Sequence, residues 1–281
     1  NAEGMPDING FTMDSLFSRY FNAVPAPPYR LDERIQSEID TKLLGAAGTL
    51  PSAGWCGVHL KKDEGVDTYK DGSPVDAYLP AMRKIVEAGY QILVKGDRKL
   101  PLDFLAELKG KVFDATSLGV DPDLFNLYVI TKSTIFVGDS GPGTWMVGAR
   151  DIPSLALNVF PIGMGFSITW IYFKSCVDAK GQKASPDILF GEIANRAPPP
   201  EGWSEVTMTE AEITEAVDQF LQQPEPRQGI DAYNELVSQL PVWSCFRAVG
   251  VSHLSPAWVR RNSPENSEDP VLSGVDKEII R

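Results

Sequence analysis

Residues 135–145 read I-F-V-G-D-S-G-P-G-T-W, an apolar run entering a glycine-rich turn. Where a strand passes through such a turn into a helix, the first backbone N–H groups lack intrahelical partners and the helix dipole adds partial positive charge. Phosphates bind places of that kind. Gly138, Gly141 and Gly143 let the main chain approach a ligand, and Ser140 and Thr144 bring hydroxyl donors. A purely structural turn that needs glycine for positive φ reads the same way, so the turn alone decides little.

Two further segments sharpen the picture. H-L-K-K-D-E-G, residues 59–65, follows the short apolar run W-C-G-V-H-L, and K-G-D-R-K, residues 95–99, follows a second such run. In open parallel sheets, ligands sit beyond the carboxyl ends of the strands, so these segments should meet the glycine turn at one crevice. There Lys61 and Lys62 would offset the charge of a diphosphate. His59 would serve as a hydrogen-bonding group, a general base or a structural residue, and Gly96 with Asp97 would face a ribose or base or form an ordinary loop. Lys61, Lys62, Lys95, Arg98 and Lys99 gather at strand ends in a chain with 26 basic and 38 acidic residues, net charge −12. That placement implies an anionic ligand, while the overall charge argues against a protein that coats nucleic acid or an anionic membrane.

The elements that must position these residues alternate. Residues 31–44 form a predicted helix with Ile35, Ile39 and Leu43 along one stripe. Strand 55–60 precedes helix 75–89, in which Pro74 lies just before the start and Gly89 supplies the stop. Strand 90–94 follows, then strand 112–115, a helix from Pro122 to about Thr131 with Asp121 as its N-cap, strand 135–137, a short helix 144–149 and strand 154–159. Such alternation calls for a Rossmann-like α/β fold, a parallel sheet with helices on both faces. After Phe160 the pattern weakens until T-E-A-E, residues 209–212, spells a capping box. Residues 201–240 carry nine acids against one base, a solvated helical face. The expected division is a lead-in segment and helix at 1–54, a nucleotide-binding domain at 55–221 and a helical C-terminal extension and tail at 222–281.

Composition bounds the alternatives. With 43% hydrophobic and 23% charged residues the bulk of the chain should fold around a core. Cys56, Cys176 and Cys245 are too few and too dispersed for a disulfide scaffold or a four-ligand zinc site, which favours a reducing compartment. His59 and His253 are far apart and no H-x-x-x-H occurs, so no metal or other resident cofactor is expected. Trp145, Trp170 and Trp203 are more often packing residues than stacking platforms. The apolar stretch 152–173 is broken by prolines, glycines and Asn158 and does not read as a membrane span. The chain starts at Asn1 without Met, which suggests a processed product or an excised piece.

G-D-S-G-P is close to the G-D-S-G-G-P of chymotrypsin-like proteases, and His59, Asp103 and Ser140 follow that family's order. One glycine is missing, no A-A-H-C surrounds His59, and alternating strands and helices are incompatible with a double β-barrel.

A closer likeness lies elsewhere. The order H-x-K, D-A-Y-L-P-A-M-R-K-I-V-E-A-G-Y-Q-I-L-V-K-G-D, F-D-A-T, D-L-F-N-L-Y-V-I-T-K-S-T-I-F-V-G-D-S-G-P and I-P-S-L-A-L-N resembles the nucleotide-sugar-binding half of bacterial GT-B glycosyltransferases for surface polysaccharides. It is similar, more distantly, to heptosyltransferases. The resemblance spans about residues 55–221 and implies that Asp139, Ser140, Gly141, Pro142, Gly143 and Thr144, with Lys61 and Lys62, cradle the donor diphosphate. Lys61 stands where that family has Arg, which keeps the charge and loses the bidentate fork. Lys62 stands where the family has Asp, with Asp63 one place later, so Asp63 is a candidate base beside His59. Such enzymes carry a preceding acceptor domain, yet only 54 residues precede Trp55. That half is expected to be truncated, reduced or supplied by a partner subunit.

The resulting expectation is an inverting, metal-independent glycosyltransferase. It would move a sugar from a nucleotide-diphosphate donor to a glycan or lipid-linked glycan acceptor, in the cytoplasm or peripherally at the inner membrane. Its rivals are a non-catalytic nucleotide-sugar-binding or partner-binding module and a sugar-nucleotide epimerase.

Overall fold

The computed structural model describes residues 30–61, 71–96, 98–148, 152–160, 170–185, 188, 189, 193, 199–224 and 253–262. Lys62, Asp63 and Asp97, and the side chains of Pro142, Trp145 and His253, lie outside what is described.

Helix α1 (Glu33–Ala47) begins at Asp32, whose carboxylate accepts the N–H groups of Arg34 and Ile35. Strand β1 (Gly54–His59) leads to a 3-10 turn (Val75–Tyr78) and helix α2 (Leu79–Glu87), so the single helix expected over 75–89 is split in two. Pro80 falls in the first turn of α2, where its missing N–H costs nothing. Strand β2 (Tyr90–Lys95), helix α3 (Leu102–Glu107) and the short strand β3 (Val112–Phe113) follow. Asp114, assigned to a strand by the sequence pattern, instead caps helix α4 (Ala115–Leu118) by accepting the Ser117 N–H. Helix α5 (Pro122–Lys132) starts as expected, with Asp121 accepting from the N–H groups of Asp123 and Leu124.

Then come β4 (Ile135–Asp139), α6 (Pro142–Gly148), β5 (Ser154–Val159), β6 (Trp170–Phe173) and a hairpin of β7 (Ser175–Asp178) with β8 (Trp203–Val206). The Thr209 capping box opens helix α7 (Glu210–Gln222), with Glu212 reaching back to the Thr209 N–H. Strand β9 (His253–Leu254) and helix α8 (Pro256–Arg261) close the described chain.

Among the described residues, seven strands form one sheet in the order β3-β2-β1-β4-β5-β6-β9, every neighbouring pair parallel. This is the Rossmann-like α/β sheet the alternation calls for. The strand β9 lies in the segment read from sequence as a C-terminal extension, yet it pairs with β6 at the sheet's edge.

The period of two along each strand sorts side chains between two cores. Ile92, Val94, Ile135 and Val137 join Ala81, Met82 and Ile85 of α2 and Ile213, Val217 and Phe220 of α7. Leu93 and Phe136 join Ile39 and Leu43 of α1 and Phe125 and Val129 of α5 on the opposite face. Helices thus cover both faces, which is why the central strands are nearly continuous apolar runs. No helix among the described residues is long and apolar enough to cross a membrane.

Candidate functional site

The chain builds β1, β2 and β3 outward in one direction, then returns to lay β4 on the other side of β1. The carboxyl ends of β1 and β4 therefore flank the point where strand order reverses, the place where open α/β sheets leave a crevice. His59 is in register with Lys95 of β2 on one side and Gly138 of β4 on the other.

Three cationic or titratable side chains converge on the glycine turn. A Cβ placed on Gly143 would lie 2.8 Å from Lys95 Nζ and 3.0 Å from His59 Nε2, so both atoms crowd the same point. A Cβ on Gly141 would lie 3.0 Å from Lys61 Cε. Gly141 and Gly143 are thus small because basic side chains pack directly on the backbone. Gly96 joins the same group: its φ is 101°, its N–H donates to Asn126 Oδ1 at 3.0 Å, and a Cβ there would meet His59 Cδ2 at 3.5 Å.

The proton on His59 can be placed. Its Nδ1 lies 3.4 Å from the Asp139 carbonyl and 3.4 Å from Thr144 Oγ1, and that hydroxyl donates its own hydrogen to the same carbonyl at 2.6 Å. Both neighbours can only accept from His59, so Nδ1 carries the hydrogen and Nε2 presents its lone pair toward Lys95. Burial lowers the His59 pKa below the ordinary histidine value, Lys95 lowers it further, and the Asp139 charge works the other way.

Asp139 does not face the crevice. It follows Ile135 and Val137 in the alternation, which turns its side chain toward the α2 and α7 face, and it is 0% exposed. Its Oδ1 accepts from Tyr78 Oη at 2.5 Å and from Asn158 Nδ2 at 2.8 Å, and its Oδ2 accepts from the Lys61 N–H at 2.9 Å. Burial and the adjacent carboxylate push the Tyr78 pKa well above the ordinary phenol value, which keeps the phenol protonated as the donor. The Ser73 N–H donates to Tyr78 Oη, and Asn158 Oδ1 accepts the Met208 N–H. Asn158 holds φ at 52°, the one positive-φ non-glycine residue among those described, where β5 shifts register against β6. A left-handed non-glycine residue costs about 1–3 kcal/mol and persists where its surroundings over-determine it. Here the Asn158 amide is held by Asp139, Tyr78, Ser73 and Met208.

The candidate residues therefore separate by role. Lys61, Gly141 and Gly143 meet at the crevice as expected. Asp139 and Thr144, expected at the diphosphate, have their polar atoms engaged inside the protein. Ser140 is only 3% exposed and its N–H donates to the Leu157 carbonyl at 2.9 Å, so that amide is already paired. Pro142 opens α6. Arg98, one of the five basic residues at strand ends, turns inward and donates to the Lys61 and Ser73 carbonyls. With Asp139 on its N–H and Arg98 on its C=O, the main chain of Lys61 is held at both ends.

Two lysines were undervalued in the sequence. Lys95, in sequence one of five basic residues at strand ends, is 8% exposed and packs on Gly143. Its place as the last residue of an apolar strand was the available signal. Lys174, directly after β6, is 1% exposed. Burial lowers its pKa to about 8, with Glu205 opposing, Lys61 reinforcing, and Asp139 and Asp71 opposing. Trp170 is a core residue, 1% exposed, with Nε1 donating to the Gln223 carbonyl at 3.1 Å. No group of three or more His, Cys, Asp or Glu among the described residues is placed to hold a metal ion.

The site thus defines a doubly wound α/β protein with basic side chains packed on a glycine turn at its switch point. No known protein family, curated protein or solved structure matches the chain.

Proposed function

We propose that the chain is the donor-binding part of a glycosyltransferase, taking a sugar from a nucleotide-diphosphate donor to a glycan acceptor. The observation that carries this reading is the convergence of Lys61, Lys95 and His59 on Gly141 and Gly143 at the switch point. Two ammonium groups over a glycine backbone suit a diphosphate better than a neutral ligand, and a neutral imidazole beside them suits proton removal.

In the reaction, the bond from the anomeric carbon to the diphosphate oxygen breaks and its electron pair leaves with the diphosphate. Lys61 and Lys95 stabilise that growing charge. The acceptor hydroxyl oxygen forms the new bond to the anomeric carbon, and its proton passes to His59 Nε2. The side-chain ammonium groups, rather than the Ser140 amide, supply the electrostatics, because that amide is already bonded to β5. The preceding acceptor domain and the surface-polysaccharide acceptor belong to this proposal through the resemblance alone.

Calorimetric titration with a panel of nucleoside diphosphates tests it. Binding to the wild-type chain should weaken at least about tenfold in the Lys61→Ala variant, about 1.4 kcal/mol, with folding intact. Unchanged affinity overturns the site. Donor binding without transfer or hydrolysis would favour a binding module, and conversion of the donor sugar without acceptor would favour an epimerase.

A further inference from the structure

His59 and Lys95 are adjacent strand-end residues whose terminal nitrogens crowd one point on Gly143. Lys61 packs on the neighbouring Gly141, where a Cβ would lie 3.0 Å from its Cε. The charged groups acting on the imidazole are Lys95 at the end of β2, Lys61 after β1 and the buried carboxylate of Asp139 in β4. Thr144 of α6 touches the ring without charge. An ammonium beside an imidazole lone pair disfavours a second positive charge there. An anion seated between the two lysines must offset that effect.

We propose that anion binding in this crevice makes His59 a stronger base, with Lys95 as the coupling residue. The inference rests on the anion-site reading above and adds what the ligand's charge does to the protein. Without an anion, burial and then the Lys95 field keep Nε2 unprotonated. When a diphosphate sits on Lys61 and Lys95, part of that field is neutralised and Nε2 becomes more basic. During transfer the diphosphate gains negative charge as its bond to the sugar breaks, and His59 is strengthened as a base just as the acceptor proton comes off. Lys95 is thereby a positioning residue for the proton as well as a contact for the phosphate. Linkage makes the effect reciprocal: protonated His59 must tighten the anion by the same factor that the anion raises its proton affinity.

The test is the titration of the His59 ring followed by NMR, with inorganic pyrophosphate as the probe. The chain has 2 histidines, so a His253→Gln variant assigns the signals. The expected result is a His59 midpoint that rises by about half a pH unit or more when pyrophosphate saturates the wild-type protein, a threefold gain in proton affinity. In Lys95→Met the midpoint should already be raised without ligand, and the pyrophosphate-induced rise should shrink. Lys95→Arg, which keeps the charge, should keep the low midpoint. Pyrophosphate binding, seen by calorimetry, with an unmoved His59 midpoint overturns the coupling and leaves the anion site standing. Absence of pyrophosphate binding removes the anion site and the coupling together. The wild-type comparison needs no variant, so a Lys95→Met protein that fails to fold does not spare the proposal.

Discussion

Two tyrosines in this protein donate to an aspartate at the same distance, 2.5 Å, and the two pairs have different consequences. Tyr128 of α5 bonds Asp40 of α1, whose other oxygen accepts from Lys132 at 3.2 Å, and both charged side chains remain partly exposed. That pair staples two helices on the sheet's surface, and water can replace any lost partner. Tyr78 bonds Asp139, where nothing is exposed and the carboxylate also holds the Lys61 N–H and the Asn158 amide. Loss of that acceptor strands the Tyr78 hydroxyl and the Lys61 N–H and takes one of three acceptors from the Asn158 amide. Equal bond lengths therefore say little about worth; the number of other groups that depend on the same acceptor, away from solvent, says more.

The comparison can be broken by urea unfolding. Asp139→Ala should cost about 3 kcal/mol or more, because each stranded buried donor carries its own desolvation penalty. A loss no larger than that of Asp40→Ala would show that the buried network relaxes as freely as the surface one. Gly143→Ala should act on the crevice alone: its methyl meets the end of the Lys95 side chain and the His59 ring. Pyrophosphate affinity should drop about tenfold, about 1.4 kcal/mol, by calorimetry. Thermal stability of the same variant should change by less than about 1 kcal/mol. For Asp40→Ala the expected loss is about 1 kcal/mol, in the range of partly exposed ion pairs. The last effect is a drift with pH. The Lys174 ammonium gives up its proton at about 8 in the folded state and near its ordinary 10.5 when unfolded. The unfolded chain then binds more protons between those values, so wild-type stability should rise across that window relative to Lys174→Met. A flat difference between the two would show that Lys174 is not held as buried as the fold implies.

Much of the fold was legible in the sequence because its strands are short apolar runs punctuated by glycine, proline and capping residues. Asp121 with Pro122, and Thr209 with Glu212, fixed two helix starts through local hydrogen bonds that need no tertiary context. The meeting of His59 with the glycine turn was legible for a related reason, since parallel topology alone brings strand ends together. The inward turn of Asp139 was readable in part: the alternation Ile135, Val137, Asp139 already assigns it to a core face. What completes its burial was not readable, because Tyr78, Asn158 and Met208 arrive from three distant elements. The left-handed turn at Asn158 had no local signal either, since an asparagine inside S-L-A-L-N-V reads as an ordinary strand residue. The region after Phe160 was least legible. Its strands β6 and β9 are four and two residues long, too short for a period to emerge.

Strand β9 also settles what happens at the rim of the sheet. Strand β6 would otherwise offer a row of open N–H and C=O groups, the kind of border onto which a foreign chain can zip. His253 and Leu254 pair with Trp170 and Ile171, the first half of that border, and helix α8 behind them is tied down by Arg260 and Arg261 on Glu215 of α7. The segment 253–261 thus acts as a selvedge, and removing it would invite self-association before it touched the crevice.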